Sequence, residues 1–403
     1  MLRSLYSGIS GLRSHQTMLD VTANNIANVN TIAFKSSAIQ FQDTLSQLTK
    51  GAGSPQSNVG GTNPAQIGLG VKVAGISTNF AQGSTQATGR STDMMISGDG
   101  FFVTEIGGVT HYTRAGSFDP DGQGRIVTPD GGILQGWPAV NGVVSTGGQL
   151  SDLKLPLQAV TPAIATTTAA VGGNLPNEAT TGTILTRDYT VFDASGTASK
   201  LTVSFERTGA GWDATATTTA PDGTVSAASP TVSLAFTGGT LDAPIPPATD
   251  HTLTSASGIA IDLSSTTGFA GLNTVNVTGQ NGRDAGTLQS FTLSSDGTLI
   301  GSFSNGASEA IGRIALATFA NPGGLEKAGA SSYSATFNSG GAQLGTPGQS
   351  GLGSLTGGAL EMSNVDLSQE FTNLIVAQRG FQANARIITT SDEVLQELTN
   401  LKR

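Results

Sequence analysis

The residues best spaced for chemistry lie between Asp119 and Asp130. Asp119, Asp121, Gln123, Gly124, Ile126 and Asp130 occupy positions 1, 3, 5, 6, 8 and 12 of a twelve-residue stretch. That is the spacing with which carboxylates and carbonyls wrap a calcium ion. The match fails where it matters. Both flanks read as strands, Pro129 sits inside the loop, and position 12 is Asp rather than the longer Glu that chelates through two oxygens. The stretch reads as a β-turn. His15, His111 and His251 are scattered, so neither a metal triad nor a Ser-His-Asp set is suggested by spacing. Gly68-Leu69-Gly70 and Gly98-Asp99-Gly100 lack the third glycine and the following helix of a phosphate-binding loop. Trp137 and Trp212 stand alone, without the clustered aromatics and paired carboxylates of a carbohydrate site. The chain is expected to be no enzyme and to need no cofactor or metal.

The elements around these residues carry more information than the residues themselves. Leu2, Leu5, Ile9, Leu12, Leu19, Ala23 and Ile26 recur at three- and four-residue steps, broken only at Gln16. This predicts an N-terminal helix over residues 1–27 with an apolar seam, and Arg3, Arg13, His15 and Asp20 on its other face. Four asparagines (Asn24, Asn25, Asn28 and Asn30) then compete with the helix through local side-chain hydrogen bonds and end it. Gly8 and Gly11 each weaken the helix by about 1 kcal/mol relative to Ala. A second seam runs through Leu367, Phe371, Leu374, Phe381, Ala385, Ile388 and Leu395, with Ser363 and Asp366 as the helix start. The two helices would be roughly 39 Å and 57 Å long. They could close the core of one domain, but their place at the two extremes of the chain favours contacts between subunits.

Between the helices the chain reads as β. Charged residues make up only 12 % and glycines number 55, a profile of turn-rich β structure rather than of a helical enzyme. The net charge of −9 argues against nucleic acid or an anionic membrane surface as partner. With no cysteine, no disulfide framework can form. No apolar run approaches the ~20 residues of a membrane span, so no membrane insertion is expected. Arg3 is followed by neither an apolar core nor a cleavage site, so the chain is expected to be cytosolic or exported without a cleaved signal peptide.

Residues 34–50 read as a short helix or an extended arm, and Gly51 to Gly61 as a flexible connection. From Gly68 onward the pattern is β, with a hairpin through Gly107-Gly108. Residues 146–284 shift to Thr, Ala, Ser and Gly, as an inserted domain would. The expected fold is therefore mixed and mainly β, with nested all-β domains and terminal helices forming a coiled-coil-like inner domain. The expected parts are 1–27 and 365–403 (helical), 28–70 (linker or arm), 71–145 and 285–364 (β domain) and 146–284 (inserted outer β domain).

Three stretches carry a resemblance. Leu19-Asp20-Val21-Thr22-Ala23-Asn24-Asn25-Ile26-Ala27-Asn28-Val29-Asn30-Thr31, followed by Phe34-Lys35, resembles the N-terminal signature of bacterial flagellar rod and hook proteins. Ala359 to Ser368 and Val376 to Asn384 resemble that family's C-terminal signature. Gly89 to Asp93 with Gly98 to Phe102 is similar to its β-domain core. Ala33 departs from the pattern, since the family usually has Gly before Phe-Lys. The resemblance is nearer to the hook branch, because the distal rod branch, the alternative, is shorter and lacks the inserted outer domain that residues 146–284 supply; that middle stretch itself carries no family motif.

The resemblance implies a structural protein that polymerises with itself into a curved tube, the universal joint between rod and filament. The terminal helices would line its channel, with Leu5, Ile9, Leu12, Leu19, Ile26, Leu367, Phe371, Leu374, Phe381, Ile388 and Leu395 at subunit interfaces. Asn24, Asn25, Asn28, Asn30, Phe34 and Lys35 are the family-motif residues. Implied partners are the rod, the hook cap, the hook–filament junction proteins and the type III export apparatus. The implied location is the hook, outside the cell.

Overall fold

The computed structural model describes residues 2–55, 60–140, 142–156, 160–242 and 250–400; the side chains of residues 2, 3 and 398 lie outside that description. The Leu2 position of the expected seam, residues 401–403 of the expected helix, and parts of the expected connection and inserted domain thus lie outside the described residues. The chain forms two compact units. One comprises Met1–Leu155, Phe291–Ile300 and Ala310–Arg403, the other Pro156–Ser290 and Gly301–Glu309.

In the first unit, helix α1 spans Leu2–Ala27 and helix α2 spans Leu367–Asn400. The asparagine cluster ends α1 as expected from its chemistry. The Asn28 side-chain amide donates to the carbonyl of Asn24 at 2.9 Å, sharing that acceptor with its own backbone N–H at 3.2 Å, and Thr31 donates to Asn28 Oδ1 at 3.0 Å. Asp366 caps α2, its carboxylate accepting the backbone N–H of Ser368 at 2.8 Å and of Gln369 at 3.2 Å.

The segment after α1 is neither a helix nor an unpaired arm. Strand β1 (Ser37–Asp43) continues into β2 (Ser46–Lys50), and the returning strands β3 (Ala65–Gly68) and β4 (Val71–Thr78) pair with β2 and β1 antiparallel. The β structure thus begins at Ser37, well before Gly68. The reason lies in Ile39 and Phe41, two apart and so on one face of a strand, with Phe41 meeting His15 of α1 at 5.9 Å between ring centroids.

The β domain of this unit is closed by strands from both halves of the chain. Phe101–Ile106 and Val109–Thr113 form the expected hairpin, with Gly107 and Gly108 at φ 58° and 84°, as a two-residue turn of that hand demands. Leu316–Thr318 pairs back onto Phe101-Phe102, and Ile133–Val140 onto Ser308–Ile314. The core is aromatic: Phe101, Tyr112, Phe319 and Tyr333 meet largely edge to face, with centroids 4.8 to 6.0 Å apart.

The second unit packs two four-stranded sheets around one core. One orders Thr252–Thr254, Ala260–Thr267, Thr168–Asn174 and Asn276–Gln280; the other orders Ile184–Phe192, Ala198–Arg207, Trp212–Thr219 and Val232–Leu234. Val171, Ile261 and Leu263 from the first sheet join Leu201, Val203, Phe205 and Trp212 from the second in a single buried cluster. Trp212–Thr219 alternates strictly between buried and half-buried positions, the period of two that a half-covered sheet imposes.

Candidate assembly interface

The helices α1 and α2 run antiparallel against each other. Gly8 lies against Asn384, Ile387 and Ile388, Gly11 against Asn384, His15 against Gly380, and Asn25 donates to Glu370 Oε1 at 3.0 Å. The Asn384 side chain fills the space over Gly11, and the His15 ring fills that over Gly380. A Cβ built on Gly11 would fall 2.6 Å from Asn384 Oδ1, and one on Gly380 would fall 2.5 Å from the His15 ring. Gly8 and Gly11, which the sequence marks as weak points of the helix, are the notch that admits α2.

This shifts the buried face away from the expected seam. The buried residues of α1 are Gly8, Gly11, Ser14, Thr22 and Asn25. Leu5, Ile9, Leu12, Leu19 and Ile26 are all half-buried beside it, and Ala23 is exposed. His15, expected on the outer face with Arg13 and Asp20, packs into the contact. On α2, Ala377 is fully buried, and Leu374, Phe381, Ala385 and Ile388 of the expected seam are half-buried. Leu367, Phe371 and Leu395 remain exposed, Phe371 at 52 %, joined by Ile375, Val376, Ile387 and Val394. Part of the seam is therefore satisfied within one chain, and part is left open.

The motif residues sit where the helices meet the β structure. Asn24 accepts from Asn28, and Asn30 is exposed on the turn. Buried Asn25 ties three elements together: its amide donates to the carbonyl of Ser37 at 2.8 Å and to Glu370, and its Oδ1 accepts the Ser37 N–H at 3.0 Å. Phe34 lies under the Lys327 ammonium, 5.2 Å from the ring centroid. Burial lowers the pKa of Lys327.

Lys35 carries the largest departure from sequence expectation. Its side chain and that of Glu361 are both fully buried, 2.6 Å apart. Lys35 also donates to the carbonyl of Ala81 at 2.8 Å, and the Gly83 N–H donates to Glu361 at 2.8 Å. Buried Arg114 lies 3.5 Å from the other Glu361 oxygen, donates to the Gly98 carbonyl at 2.8 Å and covers the Phe101 ring. Burial pulls the Lys35 pKa down; the hydrogen bond and charge of Glu361 oppose that, and Arg114 adds to it. Two cations thus share one carboxylate at the point where the α1 strap, the strand leading into α2 and the β domain converge. Glu361 lies in the Ala359–Ser368 signature, but its burial and its pairing with Lys35 and Arg114 have no local sequence signal, because the partners lie hundreds of residues away. Ala33, at φ 55° and buried, donates its N–H to the Glu361 carbonyl at 2.8 Å. That left-handed backbone is one that glycine adopts without strain and alanine does not.

The residues first considered for chemistry stay apart. The Asp121 carboxylate is taken by the backbone N–H groups of Gln123 and Arg125 and by the Arg125 side chain at 2.7 Å, and Asp119 pairs with Arg90. His111 lies 3.4 Å from Ser334 Oγ, and His251 lies 2.8 Å from the Asp242 carbonyl. Among the described residues, no three His, Cys, Asp or Glu side chains gather as a metal site would require, and no helix is long and apolar enough to cross a membrane.

Family models match three stretches of the chain. A flagella basal body rod protein model covers residues 5–35, the flagellar hook protein FlgE/F/G D1 domain covers 95–227, and the flagellar basal body rod FlgEFG protein C-terminal model covers 356–401. The flagellar hook protein of Borreliella burgdorferi is 38 % identical over 445 aligned residues, covering 100 % of both chains. The chain belongs to the flagellar hook protein family. The hook protein of Escherichia coli is 36 % identical, covering 98 % of each chain. The basal-body rod protein FlgG of Bacillus subtilis is 35 % identical, covering 100 % of each chain. Members of this family are structural parts of the bacterial flagellum, and the chain is a structural protein rather than an enzyme.

Proposed function

We propose that copies of this chain polymerise head-to-tail into the tubular hook, the curved joint that transmits rotation from rod to filament. The observation that carries the reading is the set of exposed apolar side chains spread along and around α2, Leu367, Phe371, Val376 and Leu395, on a helix already paired with α1. A monomer has no use for them; heterologous contacts that do not close on themselves turn such a helix into part of a helical tube. Leu5, Ile9, Leu12, Leu19, Ile26, Leu374, Phe381 and Ile388, half-buried around the helix pair, would complete the interface. In this reading residues 1–27 and 365–403 form the inner wall, 28–70 the strap around it, 71–145 with 285–364 the next layer, and 146–284 the outer surface. The chain leaves the cell uncleaved through the type III export apparatus. It joins the rod at one end, and the hook cap and junction proteins at the other.

Phe371→Asp tests this. Phe371 is half-exposed, so the monomer keeps its thermal unfolding, while a carboxylate pressed into an apolar inter-subunit contact costs several kcal/mol and stops tube formation. Thr372→Asp, on the neighbouring exposed position, stays far milder. Tubes of Phe371→Asp in normal yield under the electron microscope would sink the proposal. A distal rod role has one observation in its favour, the identity to the Bacillus subtilis rod protein; straight rather than curved polymers would support it.

A further inference from the structure

The strand Ile184–Phe192 lies at the edge of its four-stranded sheet. Alternate residues of an antiparallel strand turn their backbone groups to opposite sides. The Arg207 N–H donates to the Thr183 carbonyl at 2.9 Å and the Asp193 N–H to the Thr197 carbonyl at 3.1 Å, so odd-numbered residues bond to the next strand and even-numbered ones face the open edge. Both ends of that edge are closed. The Arg187 guanidinium donates to the Thr186 carbonyl at 2.8 Å. At Phe192 the N–H donates to Thr166 Oγ1 at 2.9 Å, and the carbonyl accepts the Thr166 N–H at 2.8 Å. Between these ends the N–H and C=O groups of Asp188 and Thr190 have no partner among the described residues.

A cleft of about 880 Å³ opens at this point, with Asp188, Thr190, Phe192, Lys200, Thr219 and Pro221 in its lining. Its two charged residues cancel, since Asp188 Oδ2 lies 2.8 Å from Lys200 Nζ. A charged ligand gains from one partner what it loses to the other. An added peptide strand has no ladder to join, because the free edge is three residues long between closed ends. What the cleft offers is donors and acceptors side by side: N–H beside C=O, ammonium beside carboxylate, and the Thr190 and Thr219 hydroxyls, which serve as either. Vicinal hydroxyl groups, each donating and accepting at once, match that alternation. The apolar C–H face of a pyranose ring matches Phe192 and Pro221. We propose that this cleft binds a neutral oligosaccharide. No second carboxylate lines it, so it offers binding without hydrolysis. The inference concerns the second unit alone and is independent of the polymer reading.

Saturation-transfer NMR on the full-length chain tests this, with chitotriose, cellotriose and maltotriose as probes. At millimolar sugar at least one of the three receives saturation from the wild type. Asp188→Ala, at a half-exposed position, removes a charged acceptor and weakens binding about tenfold or more, while thermal unfolding stays near the wild-type value. Phe192→Leu keeps the apolar bulk that a half-buried site needs, removes the flat ring and weakens binding several-fold. Thr186→Ala, on the same edge but outside the cleft, leaves binding unchanged. No transfer from the wild type to any of the three sugars overturns the proposal. So does transfer that persists in both Asp188→Ala and Phe192→Leu, which would place the sugar elsewhere. Tighter binding of an anionic hyaluronan oligosaccharide would make the cleft an anion site and equally refute it. If raising protein concentration alone protects the amides of residues 188–190 from hydrogen exchange, another chain covers the edge and the proposal falls.

Discussion

Lys35, Glu361 and Arg114 form a buried cluster with one negative and two positive charges. That imbalance makes an asymmetric prediction. Lys35→Met leaves Glu361 with Arg114 and the Gly83 N–H, a balanced pair. Glu361→Gln leaves two buried cations whose remaining counter-charge is the exposed Asp99 carboxylate, 4.0 Å from Arg114. Breaking a buried ion pair by removing one partner costs about 3–5 kcal/mol, and the second variant should sit at the upper end of that range or beyond, the first below it. Urea titration of the two monomers measures the difference; equal losses would show that the Lys35–Glu361 pair acts alone. Lys35 was legible in the sequence as a motif residue, but not as a buried charge. Its partner lies 326 residues away, and periodicity reports only neighbours.

At the scale of elements, both helices were legible almost to their ends, because their apolar spacing persists over many turns and both termini carry capping side chains. Which face of α1 is buried was not legible. Hydrophobic patterning weights large side chains, whereas helices that approach closely do so over small ones, and Gly8, Gly11 and Gly380 read as gaps. The β1–β4 ribbon was missed for another reason: a strand shows its pairing only through a partner, and β1 returns to its partner after a long excursion through residues 44–70. The notch gives a prediction with opposed outcomes. Gly11→Leu raises intrinsic helix propensity by about 1 kcal/mol but must displace the Asn384 side chain. If packing governs, amide hydrogen exchange in residues 380–388 speeds up and the monomer loses stability; if propensity governs, α1 becomes more protected and the monomer gains about 1 kcal/mol.

For the molecule as a whole, net charge opposes the assembly proposed above. Copies carrying −9 repel one another across water. Raising salt from about 0.01 M to 0.15 M shortens the screening length from about 30 Å to about 8 Å. The critical concentration for polymerisation should therefore fall over that range, as sedimentation at each salt step would record; a rise would mean that ion pairs between subunits dominate. Composition marked the middle of the chain as different, through its run of Thr, Ala, Ser and Gly. It gave no sign of how that unit pairs its strands, since Thr168–Asn174 lies parallel to Ala260–Thr267 from far along the chain.

The antiparallel pairing of α1 with α2 also sets a schedule. Asn25 and Glu370 are separated by 345 residues, so α1 is made long before the helix it pairs with. At about 5–20 residues per second of synthesis, that wait lasts roughly 17 to 70 s. Throughout it the Gly8–Gly11 notch is empty and the exposed apolar residues of α2 do not yet exist. Under the proposed assembly, the paired helices are thus absent from every chain that lacks α2, and such a truncated product cannot join a tube through them. Placing the two halves of one interface at opposite ends of the chain makes completion of the molecule a condition for its use.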